Sequence, residues 1–238
     1  MVKKIKSEDY TLKGGANLRF FFKSFRYSED MDMDVAGISV DVLQDTVMKI
    51  LQMNILKDTL RTFGIEQVIP PDINRAKQTQ TTQRFKVHLI TVSGEDLFTK
   101  IEFSRRGMKG ENSVNTISEL ILRSYKLPPV LVSHYDIRAA LIQKIDALAN
   151  RKILQARDIF DLYVLNSQVN NYSELEFTNK KNAVKAYDNI FRISFEEFKD
   201  QVVSYLSLED QGIYGTGSAW EEIQLKTAGF IEQIKKIL

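Results

Sequence analysis

Cysteine is absent from this 238-residue chain, and histidine, tryptophan and proline are scarce, with two, one and four copies. The lack of cysteine excludes disulfides and thiolate metal sites, and it fits a reducing compartment. Only His88 and His134 offer ring nitrogens, so a metal site would have to rely on oxygen ligands. Oxygen ligands favour Mg²⁺ or Mn²⁺ over Zn²⁺.

Long apolar runs are also missing. No stretch approaches the roughly 18 residues that a membrane-spanning helix needs, and residues 1–6 lack the apolar core of a signal peptide. We therefore expect a cytoplasmic protein with no membrane partner. A hydrophobic share of 43% and a charged share of 27% are typical of a globular protein. The net charge of +2 is too small to indicate a polyanionic partner by itself.

The most informative segment lies near the amino end, where a Gly-Gly pair is followed by alternating acids. In Lys13-Gly14-Gly15 the glycines let backbone N–H groups approach a phosphate. Asp30, Asp32 and Asp34 share one face if they lie on a strand, and three carboxylates repel each other there unless a cation is present. This pattern indicates a divalent-metal site. Basic residues are concentrated near these acids, and they either neutralise the phosphates of a nucleotide or form an ordinary solvated surface. They are Lys3, Lys4, Lys6, Lys13, Arg19, Lys23 and Arg26.

Hydrophobic spacing in the first half predicts a mixed α/β pattern. Strands are expected over 10–13 and 31–36, and helices over 15–23 and from the N-cap Ser39 to Gly64. Residues 84–92 and 97–105 alternate around a Ser-Gly turn, which predicts a β-hairpin. Glu102, in the second arm, either faces a site on the sheet or is an ordinary outward-facing acid.

The second half is predicted to be mostly helical after a short strand over 129–133. Asp136 is the expected N-cap of a helix that carries Lys144. A helix over 154–165 carries Asp158 and Asp161, three residues apart on one side. Further helical patterns cover 183–190, 195–206 and 220–238. We predict an α/β (α+β) domain over residues 1–128 and a helical domain over residues 129–238.

Three short motifs follow each other along the chain. They are Lys13-Gly14-Gly15-Ala16-Asn17-Leu18-Arg19, then Arg26-Tyr27-Ser28-Glu29-Asp30-Met31-Asp32, then Lys144 with Ala147-Leu148 and Arg157-Asp158-Ile159-Phe160-Asp161-Leu162. Each motif alone is weak, but their order and spacing together are fairly specific. Over most of its length the chain thus resembles the AbiEii/AbiGii nucleotidyltransferase toxin family.

The resemblance implies a minimal nucleotidyltransferase fold of the DNA polymerase β type, with a mixed sheet followed by a helical region. It implies that Asp30 and Asp32 hold metal, with Glu102 as the candidate third ligand. Lys144 would contact nucleotide phosphates, and Asp158 would orient Lys144 or the metal site. The implied nucleotide-binding residues are Lys13, Gly14, Gly15, Arg19, Arg26, Ser28 and Lys144.

The implied activity is transfer of a nucleoside monophosphate from a nucleoside triphosphate to an acceptor. Two Mg²⁺ or Mn²⁺ ions would activate the attacking hydroxyl and stabilise the departing pyrophosphate. Relatives act in toxin–antitoxin or abortive-infection systems that defend against phage, and some modify the ends of transfer RNA. We therefore expect an RNA acceptor, with tRNA among the candidates, and a cognate antitoxin as partner.

Two alternatives stay open, and a third is disfavoured by the sequence. The acceptor is a protein instead of RNA, or the chain is a non-catalytic nucleotide-binding or antitoxin-docking protein. A calcium loop is the third, because Asp30, Asp32 and Asp34 match the first three ligand positions of an EF-hand. That match fails at Val35 and Asp41, where a glycine and a glutamate are expected.

Overall fold

The computed structural model describes residues 5–169 and 179–237. Lys3 and Lys4 of the basic segment lie outside the described residues. The chain divides into two compact units, a sheet unit of Met1–Ala16 and Glu29–His134 and a helical unit of Asn17–Ser28 and Tyr135–Leu238. The domain boundary expected after residue 128 stays a prediction. The contacts end the sheet unit at His134 and assign residues 17–28 to the helical unit.

In the described residues, seven strands form one mixed sheet in the order β3-β4-β5-β2-β1-β7-β6. The central strand β2 runs antiparallel to β1 and parallel to β5, and β4 and β5 form the expected hairpin. The strands are β1 (Tyr10–Lys13), β2 (Asp30–Val35), β3 (Ile65–Ile69), β4 (Thr82–Thr91), β5 (Asp96–Ser104), β6 (Asn112–Thr116) and β7 (Leu131–Tyr135).

The helices of the first half connect or flank these strands, and those of the second half, together with residues 17–28, form the helical unit. The first group is α1 (Gly14–Phe21), α2 (Val40–Gln52), α3 (Asn54–Arg61) and α4 (Glu119–Ser124). The second group is α5 (Ile137–Asn150), α6 (Ala156–Asn166), α7 (Lys180–Ile190), α8 (Phe195–Gln201), α9 (Leu208–Tyr214) and α10 (Gly217–Ile237). No helix among these described residues combines the length and apolar content needed to cross a bilayer.

The predicted fold class, a mixed sheet followed by helices, is confirmed. The single helix expected from Ser39 to Gly64 is instead two helices. Met53 adopts an extended backbone, with φ −65° and ψ 132°, and thereby ends α2 and precedes α3. Strands β3 and β6 and helix α4 were not predicted, because few of their residues are buried and their hydrophobic alternation is weak.

The β4–β5 hairpin has one apolar and one polar face. Phe85 and Phe103 are fully buried, and their rings meet edge to face with centroids 6.1 Å apart. Arg84 directly precedes Phe85 on β4, and Glu102 directly precedes Phe103 on β5, so both point to the opposite face, where they lie in register with each other. The apolar face therefore anchors the hairpin, and the polar face is left for charged side chains.

Aromatic residues form much of the core of the helical unit. Phe160 is fully buried on α6, and its ring centroid lies 5.2 Å from that of Phe25 and 6.0 Å from that of Phe198. Trp220 stacks on Phe198 with a centroid distance of 4.3 Å, and its indole N–H donates to the Ile193 carbonyl at 3.2 Å. The core thus connects the α6, α8 and α10 helices.

Truncation of Phe160 should destabilise the helical unit strongly. Phe160→Ala leaves a cavity in this core, and we expect the free energy of unfolding to fall by about 3–5 kcal/mol. Trp220, the only tryptophan in the chain, reports unfolding of the same core by fluorescence in a denaturant titration. Phe191→Ala is the control, because Phe191 is 51% exposed and should change stability by about 0.5 kcal/mol or less. Equal effects of the two substitutions would contradict the assigned core.

Candidate active site

Gly14, the first residue of α1, and Asp32, the second acid of β2, lie against each other in the sheet unit. Lys13 ends β1 in register with Asp32, and α1 begins at the next residue, Gly14. Gly14 has φ +69°, and a Cβ atom placed there would lie 2.9 Å from Oδ2 of Asp32. Both facts require glycine. The amino end of α1, whose first N–H groups have no partner within the helix, therefore begins where the chain contacts a carboxylate.

Asp32 also lies beside a second acid on the neighbouring strand. On parallel strands β2 and β5, Asp32 is in register with Glu102, and Asp30 is in register with Lys100. Burial raises the pKa of Asp32, and the carboxylates of Asp30 and Glu102 raise it further, against the opposing effect of Lys100 and Lys13. The ionised form of Asp32 is thus disfavoured by its surroundings, which is the condition that a bound cation relieves.

The two acids that flank Asp32 are each paired with a protein cation. Lys100 Nζ lies 2.8 Å from Asp30 Oδ2, and Arg84 Nη2 lies 2.7 Å from Glu102 Oε2. Within residues 5–169 and 179–237, no group of three or more His, Asp or Glu side chains is arranged to hold a metal ion. The donor chemistry fits Mg²⁺, since all three acids offer carboxylate oxygens. For the three acids to bind one Mg²⁺ ion jointly, Asp30 must release Lys100 and Glu102 must release Arg84.

The third acid of the alternating set has a different environment. Asp34 is only 6% exposed, and Lys13 Nζ donates to its Oδ1 at 2.6 Å. Lys13 therefore connects the start of α1 to β2 through Asp34, and its charge also acts on Asp32. The sequence places Asp34 on the same strand face as Asp30 and Asp32, but the structure gives it a partly buried ion pair with Lys13.

A second charged cluster lies within the helical unit. Lys144 on α5 lies between two fully buried acids of α6, with its Nζ 3.1 Å from Asp158 and 2.6 Å from Asp161. Arg151 donates to Asp158 at 2.6 Å, and Arg26 donates to both carboxylate oxygens of Asp161 at 3.2 Å. Three cations thus surround two carboxylates in a cluster with one surplus positive charge.

The pKa values of the buried cluster favour its ionised form. Burial acts to lower the pKa of Lys144, but Asp161 and Asp158 outweigh this effect and the pKa is raised. Burial likewise acts to raise the pKa of Asp158, but Lys144 and Arg151 outweigh it and the pKa is lowered. Lys144 is therefore held as an ammonium ion at neutral pH, in a fixed position on α5.

The residues predicted from the sequence fall into two groups. Lys13, Gly14, Gly15, Asp30, Asp32 and Glu102 lie together in the sheet unit, and Arg26, Lys144 and Asp158 lie together in the helical unit, where Asp161 joins them. Their functional roles stay predictions.

Two other expected nucleotide-binding residues, Arg19 and Ser28, belong to the helical unit. The Arg19 guanidinium lies 3.9 Å from the centre of the Tyr27 ring and donates to the Phe25 carbonyl at 3.1 Å. Ser28 is half-buried shortly before β2. Arg26 is 6% exposed and bound to Asp161, so its partner in this structure is an acid of its own unit.

Sequence reasoning did not identify Lys100, Arg84, Arg151 or Asp161 as members of these clusters. Lys100 and Arg84 could have been found from the hairpin alternation, which puts them on the face of Glu102. Asp161 stands three residues after Asp158, a spacing that does place both acids on one helix side. Nothing in the spacing showed that their partners are Lys144 and Arg26.

Comparison with known families decides the assignment. The profile of the family described as nucleotidyl transferase AbiEii toxin, type IV toxin–antitoxin system, matches residues 1–211. The chain belongs to the AbiEii family. This confirms the resemblance drawn from the three motifs and identifies the chain as a member of a family of nucleotidyltransferase toxins. No curated protein matches the chain.

Solved structures show the same fold. A candidate nucleotidyltransferase from H. pylori is 24% identical with a TM-score of 0.56, over 96% of this chain and 87% of that one. JHP933 from Helicobacter pylori is 23% identical with a TM-score of 0.53, over 96% and 84%. MenT4, a nucleotidyltransferase toxin from Mycobacterium tuberculosis H37Rv, is 16% identical with a TM-score of 0.60, over 97% and 78%. At these identities the likeness establishes the fold of the AbiEii member.

Contact between Gly14 and Asp32 can be tested by thermodynamic coupling. Gly14→Ala should cost about 2–4 kcal/mol, since it combines positive-φ strain with displacement of the Asp32 carboxylate. Gly94→Ala is the matched control, because Gly94 has φ +83° with nothing within 4 Å of a Cβ, and it should cost about 1–2 kcal/mol. Unfolding by denaturant measures both, alone and combined with Asp32→Ala. Additive effects of Gly14→Ala and Asp32→Ala would contradict the contact.

Neutralising Asp158 should destabilise the helical unit. Asp158→Asn leaves Lys144 and Arg151 short of a buried counter-charge, and we expect a loss of about 3–5 kcal/mol at pH 7. Because the folded-state pKa of Asp158 is lowered, its contribution is fully present above the unfolded pKa of about 4 and is lost as the pH falls through the folded value. The variant should therefore lose less stability than the unmodified protein over that acid range.

The control for Asp158 is an exposed ion pair of the same unit. Glu222 lies 2.6 Å from Lys226, and both side chains are more than half exposed. Glu222→Gln should cost about 1 kcal/mol or less. Tryptophan fluorescence at several pH values measures both variants, and equal losses at pH 7 would show that the Lys144 cluster is not a buried network.

Proposed function

We propose that this AbiEii member is the toxin of a type IV toxin–antitoxin pair and transfers a nucleoside monophosphate from a nucleoside triphosphate to RNA, with a metal ion as cofactor. One observation carries the proposal: Asp32, flanked by Asp30 and Glu102, touches Gly14 at the amino end of α1. A phosphate-binding helix end and a cluster of metal-binding acids are the two parts that this chemistry needs. The family supplies the expectation of a cognate antitoxin.

Asp30, Asp32 and Glu102 are the residues that would hold Mg²⁺ or Mn²⁺. The raised pKa of Asp32 supports this assignment, since burial and then the neighbouring carboxylates of Asp30 and Glu102 disfavour its ionised form. When bound, the metal supplies electrostatic activation of the attacking hydroxyl and stabilisation of the leaving pyrophosphate. Lys100 and Arg84, once released from Asp30 and Glu102, are placed to neutralise phosphate oxygens on the same face.

Backbone and side-chain groups at the start of α1 bind and orient the triphosphate. The first N–H groups of α1, at Gly14 and Gly15, are donors for phosphate oxygens, and Lys13 adds a positive charge beside them. Within the helical unit, Lys144 is kept protonated and fixed by Asp158 and Asp161. The acceptor hydroxyl oxygen forms a bond to the α-phosphorus and its proton passes to solvent. The bond from that phosphorus to the oxygen that bridges to the β-phosphate breaks, and pyrophosphate leaves.

Replacement of Asp32 should separate activity from stability. Asp32→Asn should lower transfer at least about 100-fold, since the metal contribution is worth several kcal/mol. The same change should raise the melting temperature at neutral pH without metal. The folded-state pKa of Asp32 is raised, so its ionisation destabilises the protein above the unfolded pKa of about 4, and the amide removes that penalty.

The assay uses each of the four nucleoside triphosphates labelled at the α-phosphate, with Mg²⁺ or Mn²⁺ and either total RNA or a protein extract. Asp58→Asn is the control, because Asp58 is an exposed acid of the sheet unit, and it should leave transfer unchanged. Label on RNA that disappears with Asp32→Asn supports the proposal. Label on protein alone makes protein the acceptor, and label on neither indicates a non-catalytic role.

A further inference from the structure

The sheet unit contains a basic groove beside the candidate active site. It encloses a cavity of about 610 Å³ and begins at the Pro70-Pro71 pair that follows β3. Its charged lining residues are Asp72, Arg75, Lys77, Arg84 and Lys86, together with His88. Cations thus outnumber acids by four to one in this lining, counting the histidine as neutral. We call this cavity the β4 groove.

The β4 groove is continuous with the acids of the site. Arg84, Lys86 and His88 alternate along β4, so they share one face at a spacing of about 6.8 Å. Arg84 is bound to Glu102, and Glu102 lies in register with Asp32. Arg84 and Lys86 therefore extend positive charge from the carboxylate cluster along the polar face of the sheet as far as His88, whose Nδ1 lies 3.0 Å from Asp96.

Two cations of the β4 groove have no counter-charge. Arg75 is paired with Asp72 at 3.4 Å, and Arg84 is paired with Glu102. Lys77 and Lys86 are exposed and form no ion pair with any residue that the structure describes. Uncompensated lysines in a concave surface favour a polyanionic ligand, because phosphate contacts release the condensed counterions of the polymer.

An exposed aromatic ring lies next to this row of charge. Phe98 is 63% exposed, although most phenylalanines of the sheet are buried. It lies opposite His88 in the β4–β5 register, and the two ring centroids are 6.4 Å apart. Cations combined with exposed flat rings are the features that bind single-stranded nucleic acid, where phosphates contact the charges and bases stack on the rings.

We propose that the β4 groove binds the single-stranded end of the RNA acceptor, with Lys77 and Lys86 on its phosphates and Phe98 stacked on a base. This inference rests on the proposed function. In the proposed function, the phosphates of the nucleoside triphosphate are already bound by the amino end of α1 and by Lys13. A second array of cations, spaced along a strand and leading away from the acids, fits a polymer that carries one phosphate per nucleotide.

Binding is measured without nucleotide, by fluorescence anisotropy of a labelled single-stranded RNA titrated with the protein. Each lost phosphate contact on a single strand lowers the salt slope, d log K/d log[salt], by about 0.7 in magnitude, which is about fivefold in affinity at about 0.1 M salt. Lys77→Gln/Lys86→Gln should therefore weaken binding about 25-fold and reduce the slope by about 1.4. The control Lys49→Gln/Lys57→Gln removes the same charge from α2 and α3, outside the groove, and should change neither quantity comparably.

Stacking is tested separately, with inorganic polyphosphate as a ligand that has charge but no bases. Phe98→Ala should weaken RNA binding at least about fivefold and leave polyphosphate binding unchanged, since base stacking on an aromatic ring contributes on the order of 1 kcal/mol or more per base. Equal binding of RNA and polyphosphate, with no effect of Phe98→Ala, would reduce the groove to a general polyanion site and overturn the proposal.

The transfer assay distinguishes failure of this inference from failure of the proposed function. If both are correct, Lys77→Gln/Lys86→Gln raises the KM for RNA about 25-fold and leaves the KM for the nucleoside triphosphate unchanged. Normal RNA binding and normal KM in this variant overturn the groove assignment while transfer itself persists. Absence of transfer in the unmodified protein refutes the proposed function, and the anisotropy titration still decides whether the groove binds RNA.

Discussion

The candidate active site in the sheet unit depends on the close approach of the Asp32 carboxylate to the backbone of Gly14. Antiparallel pairing of β1 and β2 puts Lys13 opposite Asp32, and the chain enters α1 at the next residue. Any side chain at position 14 would occupy the space of Oδ2. Asp32 is thereby largely buried and lies among other acids, and both conditions, burial first, destabilise its ionised form. Functional sites commonly carry such a local cost to stability.

Two clusters of charge differ in how freely their partners can exchange. In the sheet unit the Asp30–Lys100 and Glu102–Arg84 pairs are partly exposed, so water can solvate the ions while they separate. In the helical unit Asp158 and Asp161 have no solvent exposure, and separating them from Lys144 would leave bare charges in the core. The first arrangement suits acids that take up a ligand. The second suits a lysine whose charge and position have to stay fixed.

Much of the fold was predictable because its signals are local. The β1–α1–β2 start, the β4–β5 hairpin and the Asp136 cap of α5 all follow from short patterns of glycine, alternating residues and capping side chains. The break at Met53 and the strands β3 and β6 were missed, because these segments have no distinctive pattern and expose most of their side chains. The family is recognisable from the sequence, since each of its three motifs consists of residues that lie close together along the chain.

The sequence by itself determined which residue types are available: a Gly-Gly pair, alternating acids, no thiol ligands and a lysine on an amphipathic helix. Only the tertiary structure decided their partners, because ion pairs and strand register join residues that are distant along the chain. Asp32 lies beside Glu102 through the β2–β5 pairing, and Arg26 reaches Asp161 across 135 positions. No local spacing encodes such neighbours, since they arise when the apolar faces of separate elements are buried together.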